Sequence, residues 1–446
     1  MKSYRPVSNL PILSKIIEGV VAKRLLSHIH QNNLFDENQS AYRQYHSTET
    51  ALLKLQDDIL QKLDHDKVVA LLMIDVSAAF DTVPHERLIN CFENEFGLKN
   101  TALNWIRSYL NDRYQKVIVQ NSHSKTTKME CGFPQGAKLA GLKYNVYTAP
   151  LSKVVKQHPV NHKSYADDNE LYISFSAINE DFAITQLQNC VNDVKSWMRT
   201  NYLKMNDDKT KVIFFTPRKG QNIIREILVG DDIIKPSNKV KNLGIMLDKN
   251  LNMESQINYV TKSVYFHLRN ISKIRHYLNC ENTKSLVQSL VITRLDYCNG
   301  ILANLPKRLI SKLQKAQNCA ARLIRKTRKR AHITPVLKDL HWLPVEHRIK
   351  YKIILLTFKC LNSQAPQYLR NLITLYSPPR LLRSNNRLTG SLVYRHYQRR
   401  KHGGRTFSAV APQYWNSLPQ EIRNAETLQK FKSLLKTHLF RQVYET

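Results

Sequence analysis

The chain has 446 residues, 42% hydrophobic and 23% charged, which suits two to four domains with buried cores and argues against a mostly disordered chain. Its 68 basic and 35 acidic side chains leave a net charge of +33. Apolar runs such as Ile353-Ile354-Leu355-Leu356 are far too short to cross a bilayer, and Arg5 and Pro6 precede any apolar stretch, so neither a membrane-spanning chain nor a secretory signal is expected.

Residues 68–76 (VVALLMIDV) form an apolar run of strand length. Pro84 suits the first turn of a helix, and residues 101–110 have helical apolar spacing. Residues 115–120 (QKVIVQ) and 211–216 (KVIFFT) are expected to be strands. Residues 164–175 (SYADDNELYISF) predict strand, acidic turn, strand, and residues 181–198 an amphipathic helix. Residues 217–220 suggest a turn or short linker. Beyond residue 250 the pattern turns helical over 257–278, 283–295 and 307–330. The remainder is expected to be helical, with breaks at Pro335, Pro344, Pro366, Pro378, Pro379, Pro412 and Pro419 and a linker over 376–387. Seven scattered Cys without a C-x-x-C pair indicate free thiols in a reducing compartment, the nucleus or cytoplasm. His332, His341 and His347 with Cys319 and Cys360 lack zinc-site spacing.

The charge is uneven. Residues 301–446 hold 29 basic and 5 acidic side chains, or +24, whereas residues 1–300 carry only +9. Such a polycation attracts polyanions, with nucleic acid the leading partner and no membrane partner expected. Arg325, Lys326, Arg328, Lys329 and Arg330 concentrate this charge on an expected helix, as a nucleic-acid contact or nuclear address; a merely solvated helix end is the plain alternative.

Against this basic background, Asp75 at the end of an apolar strand and Asp167-Asp168 at an expected hairpin tip stand out. Either alone suits an ordinary turn. Together, buried-strand carboxylates are costly unless neutralised, and hard divalent cations do this. If the hairpin lies beside the Asp75 strand, three carboxylates converge in an arrangement suited to two ions and in-line phosphoryl transfer.

Tyr165-Ala166-Asp167-Asp168 resembles the Y-x-D-D signature of reverse transcriptases. The run from residue 4 to about 250 resembles the reverse transcriptase domain of jockey-like, LINE-type (non-LTR) retrotransposons. The blocks are residues 4–11 (YRPVSNLP), 39–43 (QSAYR) with Ser47-Thr48, 74–83 (IDVSAAFDTV), 132–136 (GFPQG), 203–206 (LKMN) with Lys209-Thr210, and 243–248 (LGIMLD). Residues 294–299 (RLDYCN) and 341–344 (HWLP) are similar to the region that follows in such elements.

The resemblance implies an α+β right-hand polymerase: fingers and palm over 1–247, a helical thumb-like region over 248–330 and a basic helical region over 331–446. It implies an RNA-directed DNA polymerase that adds dNTPs to a DNA 3′-OH on an RNA template, with DNA primer or target as a further partner. Two Mg²⁺ ions, with Mn²⁺ as a substitute, would be held by Asp75, Asp167 and Asp168 and the Val76 carbonyl. Phe80 would exclude a ribose 2′-OH. Arg43 would contact the triphosphate, Gln135 and Gly136 would let nucleotide and template approach, and Lys209 would clamp phosphate or protonate the leaving pyrophosphate. Leu243 and Gly244 would belong to the primer grip.

The chain departs from the family after Gln135-Gly136, where Lys143 falls at an apolar helix position; it is expected either to be buried at a cost or to snorkel outward. An upstream endonuclease is expected to be lacking. The alternative reading is a truncated, catalytically inert relic that only binds nucleic acid.

Overall fold

The structure, a computed structural model, describes residues 7–77, 80–218, 225–230, 232–377 and 390–445. The Tyr4-Arg5-Pro6 opening, Ala78-Ala79, Lys219-Gly220 and the linker over 378–387 lie outside these residues. The chain is mixed α+β and divides into two compact units: residues 1–44, 70–212 and 224–236, and residues 45–69, 213–223 and 237–446.

The first unit is organised by a four-stranded sheet. Its strands are β1 (Val68–Ile74), β2 (Asn161–Tyr165), β3 (Asp168–Phe175) and β4 (Lys211–Phe215), in the order β4–β1–β3–β2. The unit division cuts β1 after Val69 and β4 after Val212. Only Met73 of β1 is not fully buried, as a near-continuous apolar run in a central strand requires. Strands β2 and β3 pair antiparallel, Tyr165 opposite Asp168, so Ala166 and Asp167 form a two-residue turn. Ala166 takes a φ of +56°, a left-handed conformation that a residue with a Cβ holds only when its surroundings fix it. Helices Ile12–Gln31, His85–Asn94, Asn100–Leu110, Ala140–Thr148, Leu151–Val155 and Glu180–Thr200 belong to the same unit; His85–Asn94, Asn100–Leu110 and Glu180–Thr200 match their amphipathic spacing.

The expected strand at 115–120 is instead an exposed ribbon of two-residue pieces, Tyr114–Gln115 with Thr127–Lys128 and Ile118–Val119 with Ser122–His123. These short pairs form sheets of their own, separate from the four-stranded sheet.

The second unit is dominated by helices. Helix Thr48–Asp64 starts with a capping box between Ser47 and Thr50. Its three buried carboxylates each accept backbone N–H groups from the C-terminal half: Glu49 from Gly300 (3.1 Å), Asp57 from Ser408 (2.8 Å), and Asp64 from Gln398 (2.8 Å) and Arg399 (2.7 Å). A separate core joins Ile354 and Phe358 of helix Val345–Leu361 to Phe431, Leu435 and Leu439 of helix Leu428–Tyr444, with Phe358 and Phe431 stacked at 4.0 Å. The described prolines expected as breaks instead begin helices or lie within one: Pro344, Pro366 and Pro419 each stand at an N-cap, Pro335 stands in the first turn of Thr334–Asp339, and Phe407–Asn416 continues through Pro412. The expected helix over 307–330 ends at Arg325, because Lys326 turns left-handed (φ +52°) and the Thr327 N–H closes back on the Arg322 carbonyl. The rest of the basic cluster is therefore off the helix. All seven Cys are free thiols.

Candidate active site

Asp75 follows β1 directly. Beyond it, Val76–Ser77 pairs antiparallel with Lys204–Met205, Val76 opposite Met205, which leaves Val76 buried. The Asn206 N–H donates to the Asp75 carbonyl at 2.8 Å, and Lys209 Nζ lies 3.4 Å from Asp75 Oδ2. The 203–210 block thus holds Asp75 by both backbone and side chain.

Asp167 and Asp168 occupy the turn and first position of neighbouring β3. Desolvation by surrounding protein atoms, then the like charges of Asp167 and Asp75, push the Asp168 carboxyl up to about 6. Asp168 is thus within electrostatic reach of both Asp167 and Asp75. Asp168 itself is open to solvent. Buried Tyr144 feels the same charges: burial, then Asp167, raises its phenol.

The turn is held from behind by Gln39. Its Oε1 accepts from the Ala166 N–H and the Ala41 N–H, both at 2.9 Å, and its Nε2 donates to the Ala166 carbonyl at 3.4 Å. Gln39 was not singled out from sequence, although it opens the QSAYR block; only its long-range partner reveals its role.

Phe80 stacks on Tyr144 at 5.0 Å and meets Phe133 edge-on at 5.5 Å. Gln135 Nε2 donates to both Asp81 oxygens at 3.1 Å, and the Ser8 N–H donates to the Gln135 carbonyl at 3.0 Å. Gly136 has a φ of +108°, a conformation open to glycine. Arg43 is turned into its own loop: its guanidinium donates to the Asp36 and Gln39 carbonyls at 2.6 and 2.9 Å and lies 4.5 Å from the Phe35 ring centre.

Lys143 does not snorkel outward. It is wholly buried, 4.6 Å from the ring centres of both Tyr109 and Phe133, and its ammonium has no hydrogen-bond partner. The helix Ala140–Thr148 is buried over almost its whole length, so the side chain finds an aromatic cage in place of water. Burial, partly opposed by Glu18, lowers its pKa to about 7.

In the second unit, Leu243 and Gly244 form the two-residue turn between Lys239–Asn242 and Ile245–Asp248, with φ of +42° and +84°. Tyr297 Oη donates to the Leu243 carbonyl at 2.8 Å. Among Arg325–Arg330, Arg325 is paired with Asp339, while Arg328, Lys329 and Arg330 are exposed.

Carboxylate oxygens are the hard donors that divalent cations prefer. The repulsion felt by Asp168 is of the kind a cation would relieve, and its carboxylate and those of Asp167 and Asp75 are donors of the right chemistry, but among the described residues no group of three or more His, Cys, Asp or Glu is placed to hold a metal ion.

The family described as reverse transcriptase (RNA-dependent DNA polymerase) matches residues 1–247. The probable RNA-directed DNA polymerase from transposon BS of Drosophila melanogaster is 32% identical over 290 residues, covering 64% of this chain and 31% of that protein. The RNA-directed DNA polymerase from mobile element jockey of Drosophila funebris is 23% identical over 335 residues, covering 73% and 35%. The chain spans about a third of the length of these relatives. Among solved structures, apo telomerase from Candida tropicalis aligns at 11% identity with a TM-score of 0.41, covering 78% of this chain and 59% of that one. With more than half of its length matched by the family, this chain belongs to the reverse transcriptases (RNA-dependent DNA polymerases).

Proposed function

We propose that the chain is the polymerase of a non-LTR retrotransposon, extending a DNA 3′-OH with dNTPs on an RNA template. The observation that carries this reading is the sheet order, in which β1, ending just before Asp75, lies directly beside β3, which begins at Asp168 after the Ala166-Asp167 turn. These three carboxylates, with the Val76 carbonyl, would hold two Mg²⁺ ions (or Mn²⁺), which when bound supply activation of the attacking hydroxyl and stabilisation of the leaving pyrophosphate. Phe80, braced by Tyr144 and Phe133, limits the space beside the sugar. Lys209 offers a proton or a positive charge to the pyrophosphate side. Gln135-Gly136 and Arg43 border the nucleotide, and Leu243-Gly244 contacts the primer. Residues 1–247 form fingers and palm, 248–330 a thumb-like region and 331–446 a basic region that holds template or target, its exposed Arg328, Lys329 and Arg330 included. The scattered free thiols and the proposed nucleic-acid partners support a nuclear or cytoplasmic location, and among the described residues no helix is long and apolar enough to cross a membrane.

Lys143 favours a second reading. An ammonium buried without a hydrogen bond on the helix after Gln135-Gly136 suits a relic that has lost catalysis and only binds nucleic acid. Primer extension separates the two. Wild-type chain with Mg²⁺, dNTPs and a primed RNA template should yield DNA product that Asp75→Asn does not. Equal background signals from both, with template still bound, would establish the relic.

A further inference from the structure

Beneath the Asp167-Asp168 turn lies a buried polar cluster that the polymerase reading leaves unused. His162 and Ser164 on β2 and Asn169 on β3 are each at most 6% exposed. Ser164 Oγ lies 2.7 Å from both His162 Nε2 and Asn169 Oδ1. The Asn169 oxygen can only accept, so the hydroxyl hydrogen goes to it, and His162 Nε2–H must then donate to Ser164 Oγ. This fixes the tautomer. His162 Nδ1 is an acceptor, and no donor from the described residues meets it. Asn145, on helix Ala140–Thr148, donates its Nδ2 to the Ala41 carbonyl at 2.8 Å and leaves Oδ1 likewise without a donor.

Both residues line the same small polar cavity, together with Asp36, Gln39 and Thr148, and it has room for about one water molecule. Two buried acceptors on one such cavity call for a ligand with two donor hydrogens, and the Asp36 carboxylate in the wall disfavours an anion. Burial holds the imidazole pKa down against the charge of Asp36, with Lys163 acting in the same direction as burial, so the ring is neutral near pH 7.

We propose that this cavity is the site of one resident water, which donates to His162 Nδ1 and Asn145 Oδ1, and that His162 is a positioning residue for the Asp167-Asp168 turn. The path is continuous. The water fixes the ring, the ring fixes Ser164, and Ser164 fixes Asn169, whose Nδ2 donates to the Asp167 carbonyl at 3.1 Å. Gln39, which clamps Ala166 from the other side, lines the same cavity.

The water itself is tested independently of activity; the positioning role rests on the polymerase reading. A crystal structure of the full chain should show an isolated peak about 2.8 Å from His162 Nδ1 and Asn145 Oδ1, and ¹⁵N spectra should show the neutral Nε2–H tautomer. An empty cavity, a cation with short contacts to several oxygens, or the Nδ1–H tautomer would overturn it. For positioning, Ser164→Ala should lower kcat for primer extension about tenfold, leave KM for template–primer within twofold and raise the Mn²⁺ concentration for half-saturation. His162→Gln, whose amide can still donate to the intact Ser164, should lose much less than Ser164→Ala. Unchanged kcat and Mn²⁺ affinity, or parallel loss of activity and melting temperature in both variants, would overturn the positioning role. An inactive wild type would fail the polymerase reading alone, and the Mn²⁺ titration would then decide positioning.

Discussion

Gln39 accepts the backbone N–H of Ala166 at 2.9 Å, a hydrogen bond that spans 127 residues of chain and fastens the left-handed turn before Asp167. Replacing the amide with an apolar side chain leaves that buried N–H without an acceptor, a cost of about 1–3 kcal/mol. Gln39→Leu is therefore expected to lower unfolding stability by that amount in urea and to reduce kcat for primer extension about tenfold. Gln39→Glu, which keeps an acceptor, should lose less of both.

Lys143 gives a pH dependence of definite sign. Its pKa in the folded chain is about 7, below its ordinary value of 10.5, chiefly through burial. Between those values the unfolded chain binds more protons, so stability rises with pH across roughly 7 to 10 and is flat below. Lys143→Met should gain about 2–4 kcal/mol at pH 7 and abolish that rise. Urea midpoints at pH 6, 8 and 9.5 would check both effects.

Two glycines with similar φ predict different costs. Gly132 has φ +75° and a Cβ there would stand 2.8 Å from the Asp81 carbonyl oxygen, whereas Gly97 has φ +66° with open space around it. Gly97→Ala should cost about 1 kcal/mol for the left-handed backbone alone. Gly132→Ala adds a clash with main chain and should cost roughly twice as much or more, read as a lower denaturant midpoint.

Much of this was legible in sequence where one local pattern decides. The apolar run ending at Ile74 and the apolar flanks of Asp167-Asp168 each specify buried strand, and both strands fall within a residue or a few of expectation. What was not legible depends on partners distant in the chain. Residues 115–120 have the composition of one strand, but the ribbon joins no larger sheet and Val117, Ile118 and Val119 stay exposed. The stop at Arg325 depends on Lys326 turning left-handed, which a run of basic residues does not announce. The aromatic cage of Lys143 draws on Tyr109 and Phe133, and the clamp on Ala166 on Gln39.

The exposed cations of the 325–330 cluster should act through phosphate charge. Each contact removed lowers the slope of log affinity against log salt by about 0.7 on single strands. The double variant Lys329→Ala, Arg330→Ala is expected to weaken RNA binding at every sequence tested and to reduce that slope by about 1.4. Arg325→Ala, whose guanidinium is already paired with Asp339, should change the slope less. Filter binding across a salt series would distinguish them.

The most direct test counts divalent ions at the carboxylates. Titration of the chain with Mn²⁺ in the presence of primed RNA template and a non-hydrolysable dNTP, followed by electron paramagnetic resonance, should show two bound ions in the wild type. Asp167→Asn should lose at least one of them while keeping the wild-type melting temperature. Superimposable binding curves for the two proteins would contradict the convergence of Asp75, Asp167 and Asp168 on a shared metal site.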